Sequence, residues 1–237
     1  MKILITGGSG LLGNELKNFI DTKSLFHDVE YYAPSSTECN IEDLEVITKT
    51  ILDYNPDIII HCAAIAKFKD VELNPKKALK TNIMGTCNVT HACMGTNIKL
   101  IFISSSHVFD GQKGNYKSSD QINPLTKYAK TKAAGEYTVL THDNSLVVRT
   151  EFCGKDFPFD TAYTDKWSSK DYIDILVPKL LDACLSDKKG IYHIGGPRKS
   201  FYDFALERNP NVKPGSVKEL VKTSLVPILI DTSLIIE

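Results

Sequence analysis

The sequence predicts an α/β fold, in which a doubly wound parallel sheet carries a small C-terminal lobe. Short, continuous apolar runs alternate with segments of helical periodicity over residues 2–150. Continuous apolar runs indicate strands buried on both faces, as in a parallel sheet that helices cover on both sides. The first run also ends in a glycine-rich turn that opens a helix, which is how such sheets commonly begin.

Nine elements are predicted in the first 150 residues, which we assign to one domain. The first is the strand "KILIT" at 2–6, since its apolar run ends abruptly at glycine. The remaining strands are predicted at 29–33, 57–64, 99–105 and 145–150. Amphipathic spacing predicts helices between the strands at 11–20, 42–54, 75–93 and 124–140.

The pattern becomes less regular after residue 150, where we predict the small lobe, residues 151–237, partly interleaved with the sheet. The segment 151–167 is rich in aromatic residues and lacks periodicity, which indicates a loop. A helix is predicted at 169–185, with Pro178 marking a bend or a boundary. A short strand at 190–196 and a short helix at 200–208 follow.

Composition and charge exclude several classes of protein. The chain has 237 residues, of which 42% are hydrophobic, and this is enough to bury a full core. Its net charge of -1 provides no basic surface for nucleic acid, and no apolar run reaches the roughly 20 residues that span a bilayer. The six cysteines form no C-x-x-C pair and the six histidines are scattered. We therefore expect reduced thiols, a cytoplasmic location and no metal site.

The segment "TGGSGLLG" at 6–13 places glycines at three set positions, Gly7, Gly10 and Gly13. In a strand–turn–helix unit, one such glycine makes the tight turn, one lets the backbone approach a pyrophosphate, and one lets helix and strand pack closely. The helix N-terminus then offers amide donors to the anion. An ordinary glycine-rich turn is the alternative, but the position between the first strand and the first helix favours a Rossmann-type dinucleotide site.

The end of the second strand bears on which dinucleotide binds. NAD-specific sites usually have an acidic residue there for the ribose 2′-hydroxyl. Here the strand leads into Ser35 and Ser36. Their small side chains leave room for a 2′-phosphate, although no arginine is close in sequence to bind it. We therefore predict NADPH as the cofactor, with NADH as the alternative.

Ser105, Tyr128 and Lys132 form a candidate set for carbonyl chemistry. Ser105 ends the predicted strand at 99–105, at the edge where parallel sheets place their ligands, and Tyr128 and Lys132 are one helical turn apart. A free tyrosine has a pKa near 10, and a neighbouring ammonium stabilises its phenolate and lowers that pKa. A lone Tyr-x-x-x-Lys pair is expected by chance, so the pair gains meaning only beside the serine and the glycine turn.

Together these motifs resemble the extended short-chain dehydrogenase/reductases, and within them the dTDP-4-dehydrorhamnose reductase (RmlD-like) family. The resemblance rests on the glycine turn, "SSSHVFDG" at 104–111, the Tyr128–Lys132 pair and "GIYHIGG" at 190–196, and it covers nearly the whole chain. It implies NAD(P)H-dependent reduction of a 4-keto nucleotide sugar, in which Tyr128 protonates the carbonyl oxygen. Residues 151–237 then form the substrate-binding lobe, which is shorter than in typical members.

The candidate site follows residue by residue, partly from these motifs and partly from position along the predicted elements. The catalytic residues are Ser105, Tyr128 and Lys132, the serine orienting the carbonyl and the lysine assisting the tyrosine. The candidate cofactor contacts are Gly7, Gly10, Leu11, Leu12, Gly13, Ser35, Ser36, Asn40, Ile41, Cys62, Ala63, Ala64 and Lys132. The candidate substrate contacts are Ser106, His107, Val108, Phe109, Arg149, Phe152 and Trp167.

The sequence leaves three functions open. The intact set of Ser105, Tyr128 and Lys132 favours the reductase. The shorter lobe favours a non-catalytic, NADP-binding regulatory subunit, similar to the β subunit of methionine adenosyltransferase. A nucleotide-sugar epimerase that uses the same residues with tightly held NAD is the third. Ser106 and His107 stand where the family has Asp-Tyr, so the substrate-facing surface differs. We expect a nucleotide-sugar substrate and, as one assembly, a homodimer.

Several residues have a structural interpretation beside the functional one. His61 lies in a predicted buried strand and is expected to be a core histidine, and His193 is expected to be structural. Asn82 is expected to bridge backbone groups near the site. Arg149, at the end of a strand, is equally consistent with a salt bridge and with a phosphate contact. Trp167 either anchors the lobe or stacks on a sugar or base.

Overall fold

The fold is of the α/β class, as predicted, and is built on a parallel central sheet. The computed structural model describes residues 1–23, 26, 28–221, 224 and 227–236. The six strands of the sheet are β1 (Lys2–Thr6), β2 (Glu30–Tyr32), β3 (Ile58–His61), β4 (Lys99–Ile103), β5 (Ser145–Arg149) and β10 (Gly190–His193). Their order is β10-β5-β4-β3-β1-β2, and every pairing is parallel. Read from β2, the order 2-1-3-4-5 is one of the two common doubly wound orders, and it reverses between β1 and β3.

Helices cover both faces of this sheet. The longer helices are α1 (Leu11–Thr22), α2 (Leu44–Tyr54), α5 (Thr86–Cys93), α6 (Lys127–Val139) and α7 (Ile173–Leu185). The shorter helices are α3 (Phe68–Leu73), α4 (Pro75–Ala78), α8 (Phe201–Leu206) and α9 (Lys218–Val221). Helices α1 and α7 contribute to the apolar core on one face, and α2, α5 and α6 contribute to the core on the other.

The alternation of side chains along each strand divides the core between the two faces. In β1, Ile3 and Ile5 pack with Leu16 of α1, while Leu4 points the other way and packs with Ile47 of α2. All five side chains are completely buried. Successive residues of a strand point to opposite faces, so a continuous apolar run was needed to build both layers.

The segment after β5 contains short strands that the sequence did not predict. They are β6 (Phe152–Cys153), β7 (Thr161–Tyr163), β8 (Trp167–Ser168), β9 (Asp171–Tyr172), β11 (Lys199–Ser200) and β12 (Lys213–Gly215). They pair two by two, as β6 with β9, β7 with β12, and β8 with β11. Because β10 and α7 pack with the main sheet, the residues after 150 are interleaved with it.

Residues 229–236, which we call the C-terminal strap, connect the two parts of the molecule. The Tyr116 amide donates to the Ser233 carbonyl at 2.9 Å, and the Ile235 amide donates back to the Tyr116 carbonyl at 2.8 Å. On the other side, the Trp167 amide donates to the Ile230 carbonyl at 2.7 Å. The strap is therefore held by backbone hydrogen bonds to both the sheet domain and the small lobe.

Two predicted helices differ in detail. The helix predicted at 75–93 is π-helical over Leu79–Gly85. The helix predicted at 169–185 begins at Ile173 and does not end at Pro178, so a boundary at this proline is wrong. The apolar side chains on either side of it, such as Val177 and Leu180, are completely buried. Their packing outweighs the backbone hydrogen bond that proline removes. Within the described residues, no helix is long and apolar enough to cross a membrane.

Gly135→Ala should destabilise the fold, because a Cβ at this position would lie 2.4 Å from Cζ of Phe102. The Phe102 ring is buried and carries the Lys132 ammonium on its face, so it has little room to move. Overpacking costs roughly 1–3 kcal/mol, which outweighs the gain of roughly 0.5–1 kcal/mol when alanine replaces glycine in a helix. Chemical denaturation should show a lower free energy of unfolding.

The matched control is Gly154→Ala, since no atom lies within 4 Å of a Cβ at that position. This variant should unfold like the wild type. A Gly135→Ala variant as stable as this control would show that the packing around Phe102 is looser than described.

Candidate active site

The carboxyl ends of the central strands meet where the strand order reverses, and the candidate site lies at this edge. Strand β1 lies between β2 and β3. The connection from β1 to β2 therefore runs toward one edge of the sheet, and the connection from β3 to β4 runs toward the other edge. Open α/β sheets bind ligands in the crevice that this reversal leaves. The glycine turn follows β1, and residues 62–64 follow β3, so both segments border the crevice.

The glycine turn forms a close backbone cradle. Gly7 has a φ of +73°, and a Cβ there would lie 2.7 Å from the backbone of Ala63. A Cβ on Gly13 would lie 2.5 Å from the Gly7 carbonyl oxygen, which itself accepts from the Gly10 amide at 2.9 Å. Helix α1 begins at Leu11 and has no side-chain cap, which leaves amides of its first turn for an anion. The cradle therefore fits a dinucleotide pyrophosphate.

The other residues predicted to contact the cofactor lie around this cradle in different environments. Leu11 is exposed and Leu12 buried, so of the two leucines Leu11 presents its side chain to a ligand. Ile41 is also buried, against Gly85. Its side chain belongs to the core, and a cofactor contact there is left to its backbone. Ser36 and Asn40 are exposed, whereas Ala63, Ala64 and Cys62 are half-buried.

Ser35, at the predicted ribose end of the cofactor site, is engaged by a neighbour. Its hydroxyl and its amide both donate to the Glu38 carboxylate, at 2.7 and 2.8 Å. These hydrogen bonds hold the pKa of Glu38 below its usual range. The strand pattern alone predicts no acidic residue at this position, because Glu38 lies beyond the end of the strand and reaches Ser35 only through the turn.

Ser105 and Tyr128 meet at the edge of the sheet, and Lys132 lies one helical turn below the tyrosine. Ser105 precedes a 3₁₀ turn (Ser106–Val108), and its Oγ accepts from the His107 amide at 3.2 Å. Thr126 caps α6 by accepting from the Ala129 amide, which places Tyr128 in the first turn. Ser105 is one of the groups that act on the pKa of Tyr128, so the two side chains are close. The structure thus places Ser105 beside Tyr128, with Lys132 one turn further along the same helix.

Burial shifts the pKa values of both groups on α6. The pKa of Tyr128 rises to about 12, mainly through burial and further through the Glu151 carboxylate, while the nearby Ser105 hydroxyl opposes this rise. The pKa of Lys132 falls to about 8, again mainly through burial. Its ammonium lies 4.2 Å from the centre of the Phe102 ring. Without a cofactor, Tyr128 is therefore a protonated phenol at neutral pH, the form that donates a proton.

A buried ion pair anchors α6 beneath this site. The Arg149 guanidinium, 3% exposed, donates from Nε at 3.0 Å and from Nη2 at 2.8 Å to the Glu136 carboxylate. Ser104 at the end of β4 donates to the same carboxylate, and Arg149 Nη1 donates to the Ser118 carbonyl at 3.1 Å. The geometry therefore argues against the predicted substrate contact of Arg149 and favours the salt bridge.

Three more predicted substrate contacts point away from the crevice. Val108 and Phe109 are completely buried in a small apolar cluster, where Phe109 stacks on Tyr116. Ser106 is 1% exposed, and its hydroxyl donates to Glu151 at 2.8 Å. These residues support the site from within and do not face a substrate. The 3₁₀ turn and the residue that follows it direct these side chains into the interior, and the sequence motif does not reveal this direction.

The remaining predicted substrate contacts are more accessible. The His107 ring stands edge-on to the Tyr128 ring, with 6.4 Å between the ring centres. Phe152 is half-buried and packs against the core next to α7. Trp167 pairs with the C-terminal strap and carries the Arg198 guanidinium at 4.0 Å from its ring centre. Of these three side chains, His107 is the one in contact range of Tyr128, and Trp167 serves as an anchor of the lobe.

Glu151 is a site residue that the sequence analysis missed. Its carboxylate is mostly buried, lies 3.3 Å from the Lys170 ammonium and 3.8 Å from Nε2 of His107, and accepts from Thr232 of the strap at 3.0 Å. Lys170 and His107 hold its pKa well below the usual range, against the opposing effect of burial. The one available signal was an acidic residue directly after the predicted strand at 145–150.

A large cavity of about 1100 Å³ opens between α1 and the small lobe. Leu11 borders it on the side of the glycine turn, and Lys170 borders it on the side of Glu151. The rest of its wall is mainly the segment 153–163, with aromatic side chains such as Phe157 and Phe159. Lysines and the two aspartates Asp156 and Asp160 also line it, so its size and its mixed apolar and charged lining suit a polar organic molecule.

The other histidines and Asn82 have the structural roles predicted for them. His61 is hydrogen-bonded to Thr6 at 2.7 Å and to Thr86 at 3.0 Å, and burial lowers its pKa to about 3. His193 is buried and contacts the Ile235 carbonyl through Nδ1. Asn82 bridges both backbone groups of Ile65. Among the residues that the structure describes, no His, Cys, Asp and Glu side chains cluster as a metal site would require.

The parallel sheet, the glycine cradle and the Ser105–Tyr128–Lys132 set define a Rossmann-type protein of the extended short-chain dehydrogenase/reductase class. The sequence profile described as the RmlD substrate binding domain matches residues 1–156, which is more than half of the chain. The chain therefore belongs to this family, and the resemblance drawn from the motifs is confirmed.

The relatives of this chain include proteins named as reductases and proteins named as subunits of another enzyme. The dTDP-4-dehydrorhamnose reductase of Aggregatibacter actinomycetemcomitans is 28% identical over 229 residues, which is 86% of this chain and 77% of that protein. The methionine adenosyltransferase 2 subunit beta of Bos taurus is 35% identical over 152 residues, or 62% of this chain and 45% of the subunit. The subunit from Xenopus tropicalis is 30% identical over 224 residues, 82% of this chain and 67% of that protein. This chain thus matches less than half the length of the bovine subunit.

Solved structures show the same fold. A dTDP-4-dehydrorhamnose reductase from Clostridium acetobutylicum has a TM-score of 0.88 and 26% identity, over 99% of this chain and 90% of that one. The UDP-glucose 4-epimerase of Thermus thermophilus, in complex with NAD, has a TM-score of 0.75 and 18% identity, over 100% and 90%. The epimerase shares the fold alone at this identity, whereas the reductase is similar in both sequence and structure.

Glu136→Gln should destabilise the protein strongly, because it leaves the buried Arg149 guanidinium without its carboxylate. Breaking a buried pair from one side costs about 3–5 kcal/mol. The double variant Glu136→Gln/Arg149→Met should recover part of that loss, since the Arg149 charge is then absent as well. The recovery stays partial because Glu136 also attracts the buried Lys132 ammonium. Urea denaturation of the three proteins measures the difference. A single variant as stable as the wild type would show that α6 is not anchored by this pair.

Lys132→Met should stabilise the protein at pH 7 while removing a proposed catalytic group. Burial lowers the pKa of Lys132 from 10.5 to about 8, so burying its charged form costs stability, on the order of 3 kcal/mol at most. This cost is fully present below pH 8. It disappears between pH 8 and 10.5, where the folded chain releases the proton before the unfolded chain does. The stability gap between variant and wild type should therefore narrow across that window, and a gap independent of pH would contradict the shift.

Proposed function

We propose that this protein reduces a 4-keto nucleotide sugar with NADPH, and that its substrate is dTDP-4-dehydrorhamnose or a close analogue. The observation that carries the proposal is the proximity of Ser105 and Tyr128 at the sheet edge, beside the glycine cradle. The residues by themselves support carbonyl reduction by a nicotinamide cofactor. The reductase relatives, at 28% and 26% identity, support the choice of sugar.

The cofactor would lie across the switch point of the sheet. The amides of the turn from Gly7 to Gly13 would hold its pyrophosphate, and Ala63 and Ala64 would border it. Ser35 and Ser36 would lie near the adenosine ribose. The Glu38 carboxylate that accepts from Ser35 suits a ribose 2′-hydroxyl, so NADH is the second cofactor to test beside NADPH. Lys132 would hold the nicotinamide ribose with its ammonium. Once bound, the reduced nicotinamide supplies the hydride for the reaction.

The chain's own residues would handle the proton and the carbonyl oxygen. Ser105 donates a hydrogen bond to the oxygen and fixes its direction. Tyr128 donates its phenolic proton to the same oxygen, and the phenolate that forms is stabilised by the ammonium of Lys132. The raised pKa of Tyr128 keeps the phenol protonated until the substrate is in place. The cavity beside Lys170 would take the nucleotide part of the substrate.

A regulatory subunit that binds NADP without turnover is the second candidate function. It is favoured by the relatives named methionine adenosyltransferase 2 subunit beta, which reach 35% identity. The two functions differ in one measurable respect. The subunit would bind NADPH tightly and leave it unoxidised with every keto sugar, whereas the reductase would consume it.

Tyr128→Phe should lower the rate of NADPH oxidation in the presence of dTDP-4-dehydrorhamnose by roughly 10²- to 10⁴-fold, because a positioned acid contributes about that factor. The loss is followed as absorbance of the reduced nicotinamide. Tyr137→Phe is the matched control, since Tyr137 lies on the same helix and is 67% exposed, and it should leave the rate unchanged. Wild-type protein that binds NADPH but never oxidises it would contradict the reductase and favour the subunit.

A further inference from the structure

The site contains a second pair of ionisable groups that carbonyl reduction does not use, His107 and Glu151. Nε2 of His107 lies 3.8 Å from Oε1 of Glu151, and the His107 ring stands perpendicular to the Tyr128 ring, 6.4 Å away. The His107 side chain is 26% exposed, and that of Glu151 is 11% exposed. An accessible imidazole backed by a buried carboxylate therefore stands next to the proposed proton donor.

The surroundings of Glu151 hold this pair in place from several elements. Ser106 and Thr232 donate to its Oε2 at 2.8 and 3.0 Å. The Lys170 ammonium lies 3.3 Å from Oε1, and Lys166 contributes a second positive charge nearby. Because two hydroxyls donate to one oxygen and the Lys170 ammonium faces the other, the carboxylate is held in place and stays ionised. Among the described residues no hydrogen-bond partner is found for Nδ1 of His107.

We propose that His107, positioned by Glu151, removes a proton from the carbon next to the keto group, so that the protein exchanges hydrogen at this carbon besides reducing the ketone. This inference rests on the proposed function, since it requires a bound 4-keto sugar. The arrangement is that of a histidine general base whose second ring nitrogen faces a carboxylate. Its position beside Tyr128 places it near the carbonyl that Tyr128 and Ser105 hold.

The proposed step balances without an oxidant or a reductant. The C–H bond next to the carbonyl breaks, the proton passes to Nδ1 of His107, and the electron pair forms the C=C bond of an enolate. The enolate oxygen is held by the hydrogen bonds of Ser105 and Tyr128, which are the same donors that would assist reduction. Return of a proton to the carbon restores the ketone, with the original configuration or with the inverted one.

Neither Tyr128 nor Lys132 fills this role in the structure. Tyr128 is protonated, because burial raises its pKa, and a protonated phenol is an acid and not a base. Lys132 is buried against Phe102, one turn further along α6. His107 therefore provides the base, while the Ser105–Tyr128 pair provides the acid.

The test uses the full chain in D₂O with dTDP-4-dehydrorhamnose and NADP⁺, the oxidised cofactor, so that no reduction competes. Exchange at the two carbons adjacent to the ketone is followed by proton NMR and mass spectrometry, against a sample without protein. The wild type should incorporate deuterium well above that background. His107→Asn and Glu151→Gln should each lower the exchange rate by roughly 10²-fold, and His91→Asn, a change on the exposed side of α5, should not.

Reduction is measured on the same proteins with NADPH, which separates a chemical role from a structural one. The ratio of exchange rate to reduction rate should fall in His107→Asn and in Glu151→Gln, whereas damage to the fold would lower both rates together. Wild type that reduces the sugar without exchanging hydrogen overturns the inference and leaves the proposed function standing, as does undiminished exchange in His107→Asn. Wild type that neither reduces nor exchanges contradicts both.

Discussion

The buried ion pair between Glu136 and Arg149 is the interaction on which the candidate site depends. It joins α6, which carries Tyr128 and Lys132, to the end of β5, and the Ser104 hydroxyl ties the same carboxylate to β4. Both charges are almost fully removed from water, so neither side chain can leave without exposing the other to an apolar interior. The helix is thereby fixed in rotation and in height against the sheet edge where Ser105 lies.

The spacing along α6 places the two proposed catalytic side chains of this helix on the same face as the ion pair. Tyr128, Lys132 and Glu136 follow one another at intervals of four residues and share one face of the helix. Glu136 lies furthest along the helix, the buried Lys132 ammonium lies one turn before it, and the Tyr128 phenol lies in the first turn, at the sheet edge. Burial of Lys132 costs stability, because it disfavours the charged ammonium. Under the proposed function this ammonium would contact the cofactor and assist the phenol. The site is therefore assembled on one rigid face, with the strap and Lys170 closing it from the small lobe.

Much of this arrangement could be predicted from the sequence, because it depends on local patterns. The apolar runs predicted every strand of the sheet, the glycine turn predicted the cradle, and the motifs predicted the family. The strand-four segment was less informative, since a motif does not reveal which way a 3₁₀ turn points its side chains. Val108, Phe109 and Ser106 face inward for that reason. Arg149 and Glu151 could not be assigned, because their partners Glu136, Lys170 and Thr232 are distant in sequence and meet them only after folding.

The central claim is that Ser105, Tyr128 and Lys132 surround the reactive end of a cofactor whose pyrophosphate lies on the glycine turn. A crystal structure of the protein grown with NADPH tests this most directly. We expect the pyrophosphate to accept hydrogen bonds from amides of the Gly7–Gly13 turn, and the Lys132 ammonium to contact the nicotinamide ribose beside the Tyr128 hydroxyl. A cofactor bound elsewhere, or a nicotinamide directed away from Tyr128, would contradict the account.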